Sequence, residues 1–120
     1  MVGGFEDLEV WKKAKDIAVK IYIQSKDFPK EDQYGITSQI RRSALSIASN
    51  IAEGCSRGSK KEFARFLLIA QGSCSELRTQ LIVTKEIGII EESDYKSFDE
   101  ELKTIGRMLK GLERKQKEAL

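Results

Sequence analysis

The stretch SKKEFARFLLIAQGSCSELRTQLIVTKEIG, residues 59–88, decides the fold of this chain. Its first four residues fit a capping box, in which the side chains of Ser59 and Glu62 each satisfy a free backbone N–H at the start of a helix. Gly88 is suited to end that helix. Between these signals, residues suited to one buried stripe recur at spacings of four and three: Phe63, Leu67, Ala70, Cys74, Leu77, Leu81 and Thr84. The stretch therefore predicts a helix at 59–87.

Two helices are predicted before this stretch, at about 6–26 and 31–53. The break between them falls at Phe28–Pro29, because proline disfavours helical geometry in the residue that precedes it. Gly54 is placed to end the second helix with a left-handed cap. The buried stripe of the first helix is predicted to contain Leu8, Trp11, Ala14, Ala18, Ile21 and Tyr22.

A fourth helix is predicted at about 93–116, where an unbroken heptad pattern runs from Tyr95 to Leu112. Short connections make successive helices antiparallel neighbours. The sequence shows no strand-period alternation and no linker. The predicted fold class is therefore all-α, an up-down-up-down antiparallel four-helix bundle that forms a single domain, residues 1–120.

Composition excludes several classes of function. The chain has 120 residues, no histidine, two cysteines and a formal net charge of +2. Without histidine there is no imidazole base and no histidine metal ligand, so we expect no enzyme activity, no cofactor and no metal site. The two cysteines are too few for a disulfide framework, and no apolar run is long enough for a membrane span. A cytoplasmic location is the simplest expectation.

Apolar residues exceed what a bundle helix needs to bury. Val19 and Ile23 fall beside the predicted stripe of the first helix, and the third helix has a similar surplus at Leu68, Ile69, Ile82 and Val83. Scattered exposed apolar residues are normal in soluble proteins. Contiguous ones usually mark interfaces, however, and we favour self-association into a homo-oligomer.

Basic residues concentrate between Gln39 and Arg65, and they are the candidate nucleic-acid contacts: Arg41, Arg42, Arg57, Lys60, Lys61 and Arg65. Neutralising backbone phosphates is the main source of sequence-independent affinity for nucleic acids. The alternative is an ordinary solvated charged face. Apart from Phe63, which belongs to the predicted buried stripe, no aromatic residue is interleaved with these positions, which argues against a protein that reads the sequence of single strands.

Asn50, Glu53 and Gly54 lie together near the predicted end of the second helix. They could contact a ligand or partner. We favour a structural role, in which Asn50 and Glu53 form a hydrogen-bonding pair that caps the turn and fixes the packing of the helices.

Several segments of the sequence resemble a known protein family. The segments that carry the resemblance are 5–14 (FEDLEVWKKA), 41–44 (RRSA) and 46–54 (SIASNIAEG), followed by Arg57, 62–63, 66–67, 69–70, 72–73, 76–77 and 79–81. They resemble the four-helix-bundle proteins encoded in intervening sequences of bacterial 23S rRNA genes, which are often labelled ribosomal proteins. The resemblance covers nearly the whole chain, and the stretch Asn-Ile-Ala-Glu-Gly at 50–54 is specific.

The resemblance implies a bundle that assembles into a ring-shaped homopentamer without established enzyme activity. Similar proteins include accessory factors of diversity-generating retroelements, which work with a reverse transcriptase and bind nucleic acid through basic surfaces. The hypothesis from the sequence is therefore a noncatalytic oligomeric bundle that binds RNA, DNA or a ribonucleoprotein. The alternative is an adaptor that docks a protein, such as a reverse transcriptase, without binding nucleic acid.

Overall fold

A computed structural model describes residues 4–120 of the chain. Four α-helices make up most of this part: α1 (Glu9–Gln24), α2 (Ile36–Ser56), α3 (Lys60–Glu86) and α4 (Glu92–Glu118). Residues 4–120 contain no β-strand. The molecule measures 46 × 19 × 19 Å, as expected for antiparallel helices of up to 27 residues laid side by side.

The helices follow one another around the bundle. α2 packs on α3, α3 packs on α4, and α1 packs on α2 and less extensively on α4. α3 therefore lies diagonally across from α1. Isoleucine and leucine dominate one continuous core, and its fully enclosed members include Ile17, Ile47, Leu77 and Ile105. None of the helices in residues 4–120 combines the length and the hydropathy that a bilayer crossing requires.

The first predicted helix is interrupted in the structure. Short 3₁₀ turns at Phe5–Asp7 and Ser25–Asp27 flank α1. Leu8, between the first turn and α1, is extended with ψ of 123°. The Phe5 ring meets the Trp11 ring edge to face at 5.0 Å, so the first turn folds back onto α1. The buried face of α1 is also rotated slightly from the predicted stripe. Val10 and Ile17 are buried, whereas Trp11 is half-buried and Tyr22 is exposed.

The second predicted helix begins and ends later than 31–53. Lys30–Asp32 forms a separate 3₁₀ turn, and α2 begins only after Gly35, whose φ and ψ of −111° and −114° are not helical. At its other end α2 continues through Gly54 to Ser56. The prediction that Gly54 caps the helix in a left-handed conformation was wrong, since Gly58 and Gly88 are the glycines with positive φ in residues 4–120.

The third and fourth helices lie close to their predicted ranges. Ser59 caps α3, where its hydroxyl accepts a hydrogen bond from the Glu62 backbone N–H at 3.1 Å. The other half of the capping box is replaced, because the Glu62 carboxylate pairs with Arg65. α4 continues to Glu118, two residues beyond the predicted end, and the buried Glu113 carboxylate accepts a bond from Lys117 at 2.9 Å.

Candidate nucleic-acid interface

The six predicted basic residues separate into two groups on the bundle. Arg41 and Arg42, called here the helix pair, lie in the second turn of α2. Arg57, Lys60, Lys61 and Arg65, called here the turn cluster, surround the connection from α2 to α3. Sixteen residues separate Arg41 from Arg57, which corresponds to about 24 Å along a helix. One chain therefore does not bring the six residues into a single patch.

The arginines of the turn cluster are occupied by contacts within the chain. Arg57 pairs with Glu53 at 3.0 Å and approaches Glu62 at 3.9 Å, while Arg65 forms two hydrogen bonds with Glu62 at 3.0 and 3.1 Å. Both guanidinium groups also lie against the ring of Phe66, at 5.0 and 4.5 Å from its centre. These contacts fix the geometry of the turn and neutralise much of its charge.

The ion pair between Arg65 and Glu62 perturbs both groups. The hydrogen bonds from Arg65 hold the pKa of the Glu62 carboxyl below its ordinary value, and those bonds raise the pKa of the Arg65 guanidinium. Each partner therefore favours the charged form of the other. Lys60 and Lys61 are exposed and form no ion pair within residues 4–120, so they supply the available charge of the turn cluster.

Gly54 explains why Phe66 can lie so deep between the helices. A Cβ atom on Gly54 would come within 2.6 Å of the Phe66 Cβ and 3.2 Å of the Phe63 ring. The absence of a side chain lets α3 approach the backbone of α2 closely, and Phe66 is left only 8% exposed. Gly54 is thus a packing residue in the interior of α2.

Asn50 and Glu53 were predicted to bond to each other, but each has other partners in the structure. The Asn50 amide donates to the Ser46 carbonyl at 2.8 Å and to the Ser46 hydroxyl at 3.0 Å, and that hydroxyl is 2.9 Å from the Ser73 hydroxyl on α3. Glu53 pairs with Arg57 instead. Asn50 therefore belongs to a polar connection between α2 and α3, while Glu53 belongs to the turn cluster.

The helix pair has different partners. Arg41 Nε donates to the Ser25 hydroxyl at 2.6 Å, and the guanidinium lies 5.2 Å from the centre of the Tyr22 ring. Neither contact neutralises the positive charge of Arg41. Arg42 is exposed. Neither arginine forms an ion pair with a carboxylate in the part of the chain that the structure describes.

An open pocket of about 550 Å³ adjoins the helix pair. Tyr22 and Tyr34 line it together with polar residues, and its lining consists of Tyr22, Gln33, Tyr34, Ser38, Arg41, Arg42, Leu45, Ser46 and Ser49. The Tyr34 side chain is 91% exposed. In the folded chain two aromatic residues therefore accompany the helix pair, although neither is interleaved with the basic residues in the sequence. Spacing along the chain did not indicate a role for Tyr34, because only the folded connection before Gly35 places it beside α2.

Apolar surface is exposed on two separate faces. An apolar groove of about 530 Å³ lies between α1 and α2, where Trp11, Val19 and Ile23 line its α1 side and Leu45 and Ala48 its α2 side. On α3 the exposed apolar residues are Leu68, Ile69, Ile82 and Val83. The predicted surplus on both helices is confirmed, and α3 and α1 stand at diagonal corners of the bundle.

Both cysteines are poor nucleophiles. Burial raises the pKa of the Cys74 thiol to about 12, and burial together with nearby Glu6 raises the pKa of Cys55. No group of three or more Cys, Asp or Glu side chains within residues 4–120 is arranged to hold a metal ion.

Comparison with known proteins agrees with the fold and the sequence motifs. The family model described as 23S rRNA-intervening sequence protein matches residues 6–111. A solved structure from Bacteroides thetaiotaomicron, described as a protein with unknown function from the S23 ribosomal protein family, superimposes with a TM-score of 0.81. That alignment has 26% sequence identity and covers 88% of this chain and 95% of the other. No curated protein sequence matches the chain. The chain belongs to the family of 23S rRNA-intervening sequence proteins.

Proposed function

We propose that this protein is a noncatalytic, self-associating bundle of the cytoplasm that binds nucleic acid by contacting backbone phosphates. The observation that carries the proposal is the helix pair: two adjacent arginines without carboxylate partners in residues 4–120, at the edge of an open pocket. A guanidinium fork matches phosphate geometry. Arg41 is already held in position by Ser25, which reduces the entropy lost on binding.

Self-association would join several helix pairs on one assembly. The apolar groove between α1 and α2 and the apolar stripe of α3 lie on different faces, so each can be covered by the other surface of a second copy. Such a head-to-tail contact produces either a closed ring or an open filament. We favour the ring, with five subunits as the family resemblance implies. Merged phosphate sites would then bind one strand with higher avidity.

The nucleic-acid proposal is tested by fluorescence anisotropy with labelled RNA and DNA over a series of salt concentrations. Binding is expected at low salt, with log affinity falling linearly as log salt rises. The double variant Arg41→Ala/Arg42→Ala is expected to lose about tenfold in affinity and to lower the salt slope by about two. Absence of binding to either nucleic acid at low salt would overturn the proposal.

Self-association is tested by light scattering on three variants. Ile23→Glu places a charge in the groove, Leu68→Glu places one on the α3 stripe, and Leu120→Glu is the control on an exposed residue outside both surfaces. We expect the first two variants to be monomers and the third to keep the wild-type mass. A mixture of the two monomeric variants should form dimers and nothing larger, since each retains one intact surface. Wild-type protein with the mass of one subunit would refute self-association.

The second candidate is an adaptor that binds another protein, and the apolar groove favours it. At about 530 Å³, with Trp11 and Tyr22 among its lining residues, the groove could hold an apolar helix face of a partner. The two candidates separate in an affinity purification from cells. A partner whose recovery resists nuclease and is abolished by Ile23→Glu supports the adaptor, and a partner lost on nuclease treatment supports nucleic-acid binding.

A further inference from the structure

The pocket beside the helix pair combines features that phosphate binding alone does not need. Tyr34 is 91% exposed, the largest exposed fraction among the bulky apolar and aromatic side chains of residues 4–120. Its ring contributes little to the core, and it lines the same pocket as Arg41 and Arg42. A flat aromatic surface next to unpaired positive charge is the arrangement on which nucleobases stack.

We propose that this pocket binds an unpaired nucleotide of single-stranded nucleic acid, with the base stacked on Tyr34 and the adjacent phosphate held by Arg41 and Arg42. The proposal rests on the proposed function and specifies its ligand as a strand with free bases. Bases inside a duplex are stacked on one another and would have to be extruded first, at a cost in free energy. Single strands should therefore bind more tightly than duplexes.

The positions of the arginines support this ligand. The Ser25 hydroxyl and the Tyr22 ring hold the Arg41 guanidinium at 2.6 Å and 5.2 Å respectively, and the Tyr22 carbonyl accepts a longer bond from it at 3.5 Å. One arginine is thus fixed before binding, while Arg42 is exposed and free to adapt to the strand. A fixed anion site in the same pocket as an exposed aromatic ring suits a ligand that carries both a phosphate and a base.

The pocket also has the size and polarity for a nucleotide. Its volume of about 550 Å³ is within the range of small-molecule sites, roughly 300–1,000 Å³. Gln33, Ser38 and Ser49 line it and carry both donors and acceptors, so they can bond to base edges of more than one kind. This lining predicts weak base preference, since hydroxyl groups can act either as donors or as acceptors.

The test compares a single-stranded oligonucleotide with its duplex, as both RNA and DNA, for the full-length protein and two variants at Tyr34. Tyr34→Ala is expected to lose about fivefold to a hundredfold in affinity for the single strand, since each stacked base contributes on that scale. Tyr34→Phe, the matched control, retains the ring and should retain the affinity. Duplex affinity should be the same in all three proteins.

A base analogue gives a second readout that a merely structural role of Tyr34 would not change. Fluorescence of 2-aminopurine in the single strand should be quenched by the wild-type protein and by Tyr34→Phe, and not by Tyr34→Ala. Equal single-strand affinity in wild type and Tyr34→Ala, together with loss in Arg41→Ala/Arg42→Ala, would overturn stacking and leave the phosphate proposal standing. Absence of all binding in wild type would overturn both.

Discussion

The helix pair and the turn cluster lie toward opposite ends of α2 and carry the same net charge once Glu53 and Glu62 are counted with the turn cluster. Their side chains nevertheless do different things. Arg57 and Arg65 hold two carboxylates and enclose Phe66, whereas Arg41 and Arg42 border an open pocket without a carboxylate partner in residues 4–120. Equal charge therefore predicts neither equal stability nor equal affinity for a phosphate. The contacts within the chain separate a structural group from a binding one.

The largest expected effect on stability comes from Phe66, whose ring both arginines of the turn cluster contact. Phe66→Ala should lower the free energy of unfolding by about 3–5 kcal/mol, because it leaves a cavity where α3 meets α2. Urea denaturation measures this loss. Phe66→Leu, which fills more of the space, should cost less and keeps the test usable if the alanine variant does not fold. Full stability in both variants would contradict a structural role for the cluster.

Gly54→Ala should lower the free energy of unfolding by about 1–3 kcal/mol, the usual cost of overpacking. Alanine has a higher helix propensity than glycine, so the same substitution at a helix position without close neighbours would stabilise the protein. The added Cβ would meet the Phe66 Cβ at 2.6 Å, which forces α2 and α3 apart. Gly72→Ala is the matched control, because Gly72 lies in α3 and a Cβ added there would meet no neighbouring element within 4 Å, so this change should stabilise the protein. Stabilisation by both changes would refute close packing at Gly54.

The ion pair of the turn cluster should make stability depend on pH in the acid range. Arg65 lowers the pKa of Glu62 below its ordinary 4.5, so the pair contributes fully above that value and its contribution disappears as pH falls through the lowered pKa. Arg65→Met should thus be less stable than wild type at neutral pH, and the difference should shrink in acid. Chemical denaturation across pH checks this, with Lys61→Met as the unpaired control. A difference that grows on acidification would contradict the sign.

The smallest expected effect is on binding. Arg57→Ala/Arg65→Ala should change nucleic-acid affinity by less than about threefold, because the two guanidinium groups are already engaged within the chain. The matched variant Arg41→Ala/Arg42→Ala removes the same formal charge. Equal losses in the two double variants, measured by anisotropy at one salt concentration, would show that charge alone matters.

The sequence alone predicts the helices better than the roles of individual residues. The periodicity from Leu67 to Thr84 and from Phe98 to Leu109 identifies the buried faces of α3 and α4, because those faces pack on regular helices. The start of α2 was missed by several residues, since Gly35 interrupts a segment whose composition is otherwise compatible with helix. Gly54 was interpreted as a cap because the sequence does not distinguish a glycine that allows close packing from one that ends a helix.

The sequence nominates Arg41 and Arg42 as candidates, but it does not predict the pocket that they line with Tyr34. Spacing along α2 shows that Arg41 and Arg57 are far apart, but it does not show which of them has a partner. Glu62 and Arg65, three residues apart on a helix, are a recognisable pair. The pocket depends instead on the connection between α1 and α2, which brings Tyr34 next to arginines that follow it by seven and eight positions. Only the folded connection reveals that these residues line one pocket.

The hydrogen bond from Arg41 to Ser25 has a consequence for motion. It ties α2 to the segment that follows α1, so that segment cannot open without breaking this bond or displacing Arg41. Any ligand that immobilises Arg41 should therefore slow amide hydrogen exchange around residues 25–35, including at positions that it never touches.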